Sequence, residues 1–396
     1  MIAQSNSMKK VFVSLVCCFF VYAFCCSVLV SFGRINQLGS GFLVDYQDIE
    51  IANQNNTFGR LINLSLNKKQ SEVGNPDEQS AEIVFKLFGI IPIKKVSVEM
   101  VDDAEYYVGG VPIGIEIDAK GAIVVGKSEG SQFNAGDIIT QIDEKAITNL
   151  DDLENAVQEC DRDAEVKFLR KNKEFKKIVK TQKDENGRLK LGLWVKDDVS
   201  GVGTLTYVSK KDGSYGALGH AIVDANGGNV VPVSSGKVYK CSLMGIKKGQ
   251  RNEPGELRCA FSSQKEDKGS ITNNTKFGIS GILDNADDLI DQNRVAKMGG
   301  RLGVKMGKAV IVSSVSGIRE EYDIEIIKAN FQKSADDKSI VFRVKDKRLI
   351  DLTGGIVQGM SGSPILQDGK IVGAVTHVFV NDPTKGYGVY VDWMKR

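Results

Sequence analysis

The segment Gly359-Met360-Ser361-Gly362-Ser363-Pro364 places a serine between two glycines. After it, Ile365-Leu366-Gln367, an Asp368-Gly369 turn and Lys370-Ile371-Val372-Gly373-Ala374-Val375 predict a β-hairpin, so the serine sits at a bend entering a sheet. A nucleophilic serine needs such a bend, because its oxygen must stand clear of the strands while neighbouring N–H groups converge on one point. Gly359 and Gly362 carry no Cβ to obstruct the turn or an approaching carbonyl. The chemistry on offer is attack on a carbonyl carbon. The blander alternative is a glycine-rich turn with two solvated serines.

The motif and its hairpin resemble the GDSGGP segment of chymotrypsin-like proteases. That resemblance assigns Ser361 as nucleophile and the Gly359 and Ser361 amides as oxyanion donors. Met360 stands where that family often has Asp, so no activation ion pair is expected, and Ser363 stands where a glycine is usual. A serine needs a base, and the chain contains two histidines, His220 and His377. His220 lies in Tyr215-Gly216-Ala217-Leu218-Gly219-His220-Ala221, a small-residue turn on the N-terminal side of the serine, as the histidine of chymotrypsin-like proteases does. His377, in the alternating Val375-Thr376-His377-Val378-Phe379-Val380, reads as a structural or pocket-lining strand residue. The orienting acid stays open on spacing. Asp224 follows His220 closely and can end its strand, and Asp351 can serve turn chemistry before Thr353-Gly354-Gly355. Asp346 falls in Phe342-Arg343-Val344-Lys345-Asp346-Lys347-Arg348-Leu349, where a strand end can deliver its carboxylate toward the imidazole or the surrounding basic residues can make it an exposed ion-pair partner.

These residues need elements to carry them. At 396 residues the chain is long enough for two or three domains, and its 42 glycines imply many turns between short strands. Lys+Arg 52 against Asp+Glu 50 leaves a net charge of +2, so no basic field draws a nucleic acid. The apolar run Val11 to Phe32, preceded by Lys9 and Lys10, is long enough to span a bilayer, and the positive flank sets the rest of the chain on the non-cytoplasmic side. A cleaved signal peptide competes with this anchor, but no small-x-small site follows the run. Cys17, Cys18, Cys25 and Cys26 lie inside the run; Cys160, Cys241 and Cys259 lack zinc-site spacing, and only a Cys241 to Cys259 bridge is conceivable beside free thiols. No metal or organic cofactor is expected.

The chain divides into four segments: residues 1–33 as cytoplasmic tip and anchor, 34–104 as spacer and membrane-proximal region with a strand pair near 83–98, 105–195, and 196–396. In the third, Pro112 to Asp118 and Ala122 to Val125 read as strands. Ala135-Gly136-Asp137 reads as a turn, Asn149 with Asp152 as a helix cap, and Val166 to Leu169 with Phe175 to Val179 as a strand pair. This order resembles a PDZ domain, with Ile113-Gly114-Ile115 in the place of its carboxylate-binding loop. The implied partner is a peptide or protein tail, bound by β-augmentation. Dense turns and short alternating strands in 196–396 suit an all-β double barrel. The expected fold class is mainly β: an N-terminal transmembrane helix, a PDZ-like domain and a chymotrypsin-like double β-barrel.

From the PDZ-like part through TGGIVQGMSGSPI and GAVTHVFVNDPTKGYGVYVDW, the chain resembles the stage IV sporulation protein B family, serine peptidases of endospore-forming bacteria. The resemblance, and not spacing, selects Asp346 beside His220 and Ser361. It implies location in the forespore membrane with the bulk of the chain in the intermembrane space facing the mother cell. It further implies self-cleavage near the N-terminal region, which could release the chain. The implied substrate is a membrane-held regulator of an intramembrane protease that processes a pro-sigma factor. The competing class is a noncatalytic membrane-anchored PDZ scaffold.

Overall fold

The apolar N-terminal run forms helix α1 (Ile2–Asn36), and an 18-residue stretch within its Ser14–Asn36 part has a mean hydropathy of 2.5. Those 23 residues span about 35 Å at 1.5 Å per residue, enough to cross a bilayer core of about 30 Å. The computed structural model describes residues 2–68, 80–101, 103–160, 163–224, 228–261, 266–330, 332 and 334–395, with backbone only for 2–13 and 261. Two compact units result. One comprises residues 1–102, 299–305 and 330–335; the other comprises 103–298, 306–329 and 336–396.

In the first unit the end of α1 enters a folded core. Ser31, Ile35 and Leu38 are buried, and Lys94 Nζ donates to the carbonyls of Ile35 (2.9 Å) and Leu38 (3.3 Å), a cation at the helix C-terminus. Strands β1 (Phe42–Val44), β2 (Ile62–Lys68), β3 (Ser80–Leu87) and β4 (Ile91–Met100) form one sheet in the order β1-β4-β3-β2. Helix α2 (Tyr46–Gln54) starts at a capping box of Asp45 and Asp48. Residues 34–68 therefore carry more structure than their polar composition suggests. Phe42, Val44, Ile62 and Leu64 bury themselves against Ile83, Phe85 and Val98 of the β3–β4 hairpin, partners that lie too far along the chain for local reading.

The second unit opens with β5 (Tyr106–Val108) and the 16-residue β6 (Pro112–Lys127). β7 (Ile138–Ile142), β8 (Lys145–Ala146), helix α3 (Leu150–Gln158), β9 (Asp163–Arg170) and β10 (Lys173–Lys180) come next. The short β11 (Gln182–Lys183) and β12 (Leu189–Lys190) lead to the 17-residue β13 (Leu193–Ser209). Then come β14 (Ser214–Ala217), β15 (Val233–Lys247), β16 (Glu256–Phe261), β17 (Asp267–Thr275) and β18 (Gly278–Leu283). β6 pairs with β13 and β15, β13 with β14, β14 with β18, β18 with β17, and β17 with β15, which closes a first six-stranded barrel. Ile113, Ile115, Ile117 and Ala119 alternate into its core with Leu205, Val238, Ile271 and Ile279.

After β19 (Val295–Met298), a second ring is built from β20 (Gly307–Ser313), β21 (Glu320–Ala329), β22 (Ile340–Val344), β23 (Pro364–Gln367), β24 (Lys370–Phe379) and β25 (Asp382–Tyr390). Its pairs run β20-β21-β22-β25-β24-β23 and back to β20. Helix α4 (Lys347–Thr353) links β22 to the serine segment. The fold is mainly β with two closed barrels.

β6 and β13 each run out of the first barrel and continue into a smaller module. There Ala122–Ile123 pairs with β7, β7 with β9, β9 with β10, and Leu193–Lys196 with Ile123–Lys127, all packed under α3. The module is thus inserted between two strands of the barrel. A seam near residue 195 would fall inside β13, and the barrel needs residues 112–119 of β6 as its own strand.

Candidate active site

Ser361 is positioned from both barrels. Gly359 and Gly362 have φ of 94° and 97°, a left-handed backbone natural to glycine. Any Cβ on Gly362 would lie 2.0 Å from the Thr204 carbonyl oxygen and 2.5 Å from the Leu218 nitrogen. That close approach lets Thr204 on β13 hold the segment. Its N–H donates to the Ser361 carbonyl (2.9 Å) and its Oγ1 to the Gly359 carbonyl (2.7 Å), while Thr206 Oγ1 donates to Gly362 (2.7 Å). From the second barrel, Gly362 N–H donates to the Val375 carbonyl (2.8 Å). Met360, in the place of the acidic residue common in chymotrypsin-like enzymes, is fully buried at 0 % exposure, which suits a thioether and would suit no unpaired carboxylate.

The Ser361 hydroxyl donates to the Thr376 carbonyl at 2.8 Å. Among the described residues neither the Gly359 nor the Ser361 N–H donates to another backbone carbonyl. Two donors are therefore left for an oxygen arriving at the turn. The same Thr204 that holds Ser361 accepts from Leu218 N–H (3.2 Å), two residues before His220. Leu218 and Gly219 have φ of 69° and 74°, and a Cβ on Gly219 would lie 3.0 Å from Thr376 Cγ2. This tight turn after β14 sets His220 beside β24, where its ring meets His377. His220 Nδ1 lies 3.0 Å from the Ala221 carbonyl, so with its proton on Nδ1 it donates there and leaves Nε2 as the acceptor.

His377, read from the sequence as structural or pocket-lining, packs against His220 with ring centroids 5.3 Å apart and planes tilted by 41°. Burial, followed by the charges of His220 and Lys338, pushes its pKa down to about 4. The hairpin explains the meeting. Its return strand brings Thr376 and His377 back beside Ser361, which a register count from the Asp368-Gly369 turn could have found. Thr204 left no signal in the sequence, since its partners in the serine segment lie about 155 residues away.

Asp346 is placed differently. It is the N-cap of α4, accepting from Arg348 N–H (2.9 Å), and its carboxylate takes both Arg348 Nε (3.2 Å) and Arg348 Nη2 (2.8 Å). The Asp323 N–H also points to it at 3.3 Å. The Arg348 guanidinium accordingly holds the carboxyl below the usual carboxylate range. β22 begins at Ile340, paired with Gly388, itself the partner of Val375, whereas Asp346 follows its other end, about 17 Å along at 3.4 Å per residue. The structure packs His220 on His377, binds the Ser361 hydroxyl to the carbonyl that precedes His377, and sets Asp346 on Arg348. Near Thr376 the carboxyls are instead those of Asp336 and Asp337: Thr376 Oγ1 donates to the Asp337 carbonyl (2.8 Å), and burial raises the Asp337 carboxyl, which hydrogen-bonds to Asp336. Asp224 accepts from Asn229 N–H (2.9 Å) in its own turn, and Asp351 lies exposed within α4.

A family model described as SpoIVB peptidase S55 matches residues 187–395. The chain belongs to the SpoIVB peptidase S55 family. It is therefore a peptidase, and the matched residues include the whole second barrel and all three of His220, Asp346 and Ser361. A solved PDZ domain from the SdrC-like protein of Listeria monocytogenes shares 16% identity at a TM-score of 0.17, over 20% of this chain and 85% of that one. No match is found among curated proteins.

Ile113-Gly114-Ile115, expected as a carboxylate-binding loop, lies at the start of β6, just after its opening residue Pro112. Each of the three residues pairs with β13 on one side and β15 on the other, and Ile113 and Ile115 are buried. Backbone groups spent on two neighbouring strands are not available to a ligand, which corrects the expectation. The opening in this S55 peptidase's inserted module lies elsewhere, a cavity of about 990 Å³ between Leu150, Leu153 and Val157 of α3 and the segment carrying Leu191 and Trp194.

Proposed function

We propose that the chain is a serine endopeptidase in which Ser361 attacks a peptide carbonyl and His220 is its general base. The observation that carries this reading is the shared anchor. Thr204 binds the Ser361 carbonyl and the Leu218 amide at once, so nucleophile and base ride on one fixed point. Ser361 Oγ leaves the Thr376 carbonyl by one rotation about χ1, passes its proton to His220 Nε2 and bonds to the substrate carbon. The Gly359 and Ser361 amides receive the oxyanion. His220 then protonates the leaving amine, and water activated by the same base releases the acyl-enzyme. Asp346 enters as the orienting acid through the family resemblance, and to act on His220 its carboxylate must exchange Arg348 for the imidazole.

Location in the forespore membrane, self-cleavage and cutting of a membrane-held regulator belong to the same reading and rest on the resemblance, with α1 as the anchor. The inserted module is proposed as a PDZ-like tail binder, supported by its cavity beside α3, where Leu150, Leu153 and Val157 face Leu191 and Trp194. A fluorophosphonate labelling assay on the purified chain decides between this enzyme and a noncatalytic scaffold. The wild-type chain is expected to label and Ser361→Ala to lose both labelling and cleavage. Labelling that survives Ser361→Ala would remove Ser361 from its role.

A further inference from the structure

His377 has no part in the proton transfers between Ser361 and His220, yet it stands beside both. Its ring packs against that of His220, its backbone continues from the carbonyl that receives the Ser361 hydroxyl, and its Nδ1 is buried without a hydrogen-bond partner among the described residues. An unsatisfied buried nitrogen is costly and seldom retained without use. The acidic position that the resemblance supplies is held by Arg348, at the far end of β22.

We infer that His377 is a positioning residue for His220, a neutral second imidazole whose buried lone pair finds its electrostatic partner only when His220 becomes charged; the role rests on the proposed Ser361 and His220 chemistry. With its proton on Nε2, His377 presents Nδ1 as an acceptor. In the resting enzyme the neighbouring ring is neutral. As the Oγ–C bond forms, the Ser361 proton moves to His220, a positive charge appears beside that lone pair, and the charged state is favoured over the resting one. The proton stays on His220 and leaves with the amine, so His377 ends as it began. To act as an acceptor beside a charged His220 the ring must itself remain uncharged. The charged groups acting on it are His220 from the turn after β14, and Asp336 and Lys338 from the segment before β22. Burial, with His220 and Lys338 nearby, outweighs Asp336 and keeps it neutral above about pH 4.

Rates of fluorophosphonate labelling across pH test this without a known substrate. His377→Phe keeps the ring and loses the lone pair; His377→Asn keeps an acceptor. The first should label at least tenfold more slowly, with the acidic limb of its pH profile moved to lower pH because the imidazolium of His220 has lost support. The second should recover part of the rate. A His377→Phe chain that labels at the wild-type rate, or that slows with the limb unmoved while its Tm falls, would overturn the inference and leave the Ser361 reading standing. A folded wild-type chain that does not label would overturn both.

Discussion

At the scale of single residues, Asp346 has two candidate jobs that one substitution separates. As the N-cap of α4 it satisfies an orphan amide, and Asp346→Ala should cost about 1 kcal/mol in thermal or denaturant unfolding. Asn caps equally well, so Asp346→Asn should leave Tm close to wild type. If the carboxylate also orients His220, labelling and kcat/KM of the Asn variant should fall by orders of magnitude; wild-type kcat/KM would assign Asp346 to the helix alone. Because Arg348 depresses its pKa in the folded chain, the stability this group contributes is present above the ordinary carboxylate pKa of about 4 and is lost as pH falls through the depressed folded value. Ser363 offers a control beside Ser361. Its Oγ is buried with no partner among the described residues, so Ser363→Ala should keep labelling and hold or raise Tm by the equivalent of about 1 kcal/mol.

At the scale of elements, β6 carries the sharpest difference between sequence and structure. The Gly110 to Ile115 stretch has the glycines and alternation of a ligand loop followed by a strand, and both readings fit those residues locally. What decides is that β13 and β15, arriving from beyond residue 193, pair with both edges of the segment. Ile115→Ala should therefore cost about 2–5 kcal/mol, the range for truncating a fully buried aliphatic residue, measured by denaturant unfolding. A chain with unchanged stability and weakened tail binding would return the segment to a binding role. The hairpin of β23 and β24, by contrast, was legible at once. Asp368 and Gly369 both have positive φ, which the Asp-Gly pair adopts readily, and turn and strands are neighbours in sequence.

At the scale of the whole molecule, the module between β6 and β13 interrupts a barrel. Deleting residues 105–195 removes β5 and the barrel half of β6, and should abolish folding and labelling together. Excising 121–195 and joining the stubs by a short glycine turn leaves Asp118 opposite Asp198, and should preserve labelling of Ser361. Circular dichroism and fluorophosphonate labelling of the two deletions read this out directly. Equal collapse of both would mean that the module is part of the barrel's stability. Cleavage of a protein substrate by the second variant then reports whether the module controls access to the site.

The sequence alone determined the features written in neighbouring residues. These are an apolar run long enough to span a membrane, a serine in a glycine turn before a hairpin, a capped helix at Asn149, and alternation that predicts β structure. It also narrowed the base to two histidines. Tertiary structure alone decided that the two histidine rings pack together, that Asp346 rests on Arg348, that Ile113-Gly114-Ile115 is a barrel strand, and that Thr204 holds both the Ser361 segment and the turn before His220. Each of these depends on contacts between strands far apart in the chain. A side chain's local pattern states which face it prefers, but the partner strand settles what that face meets.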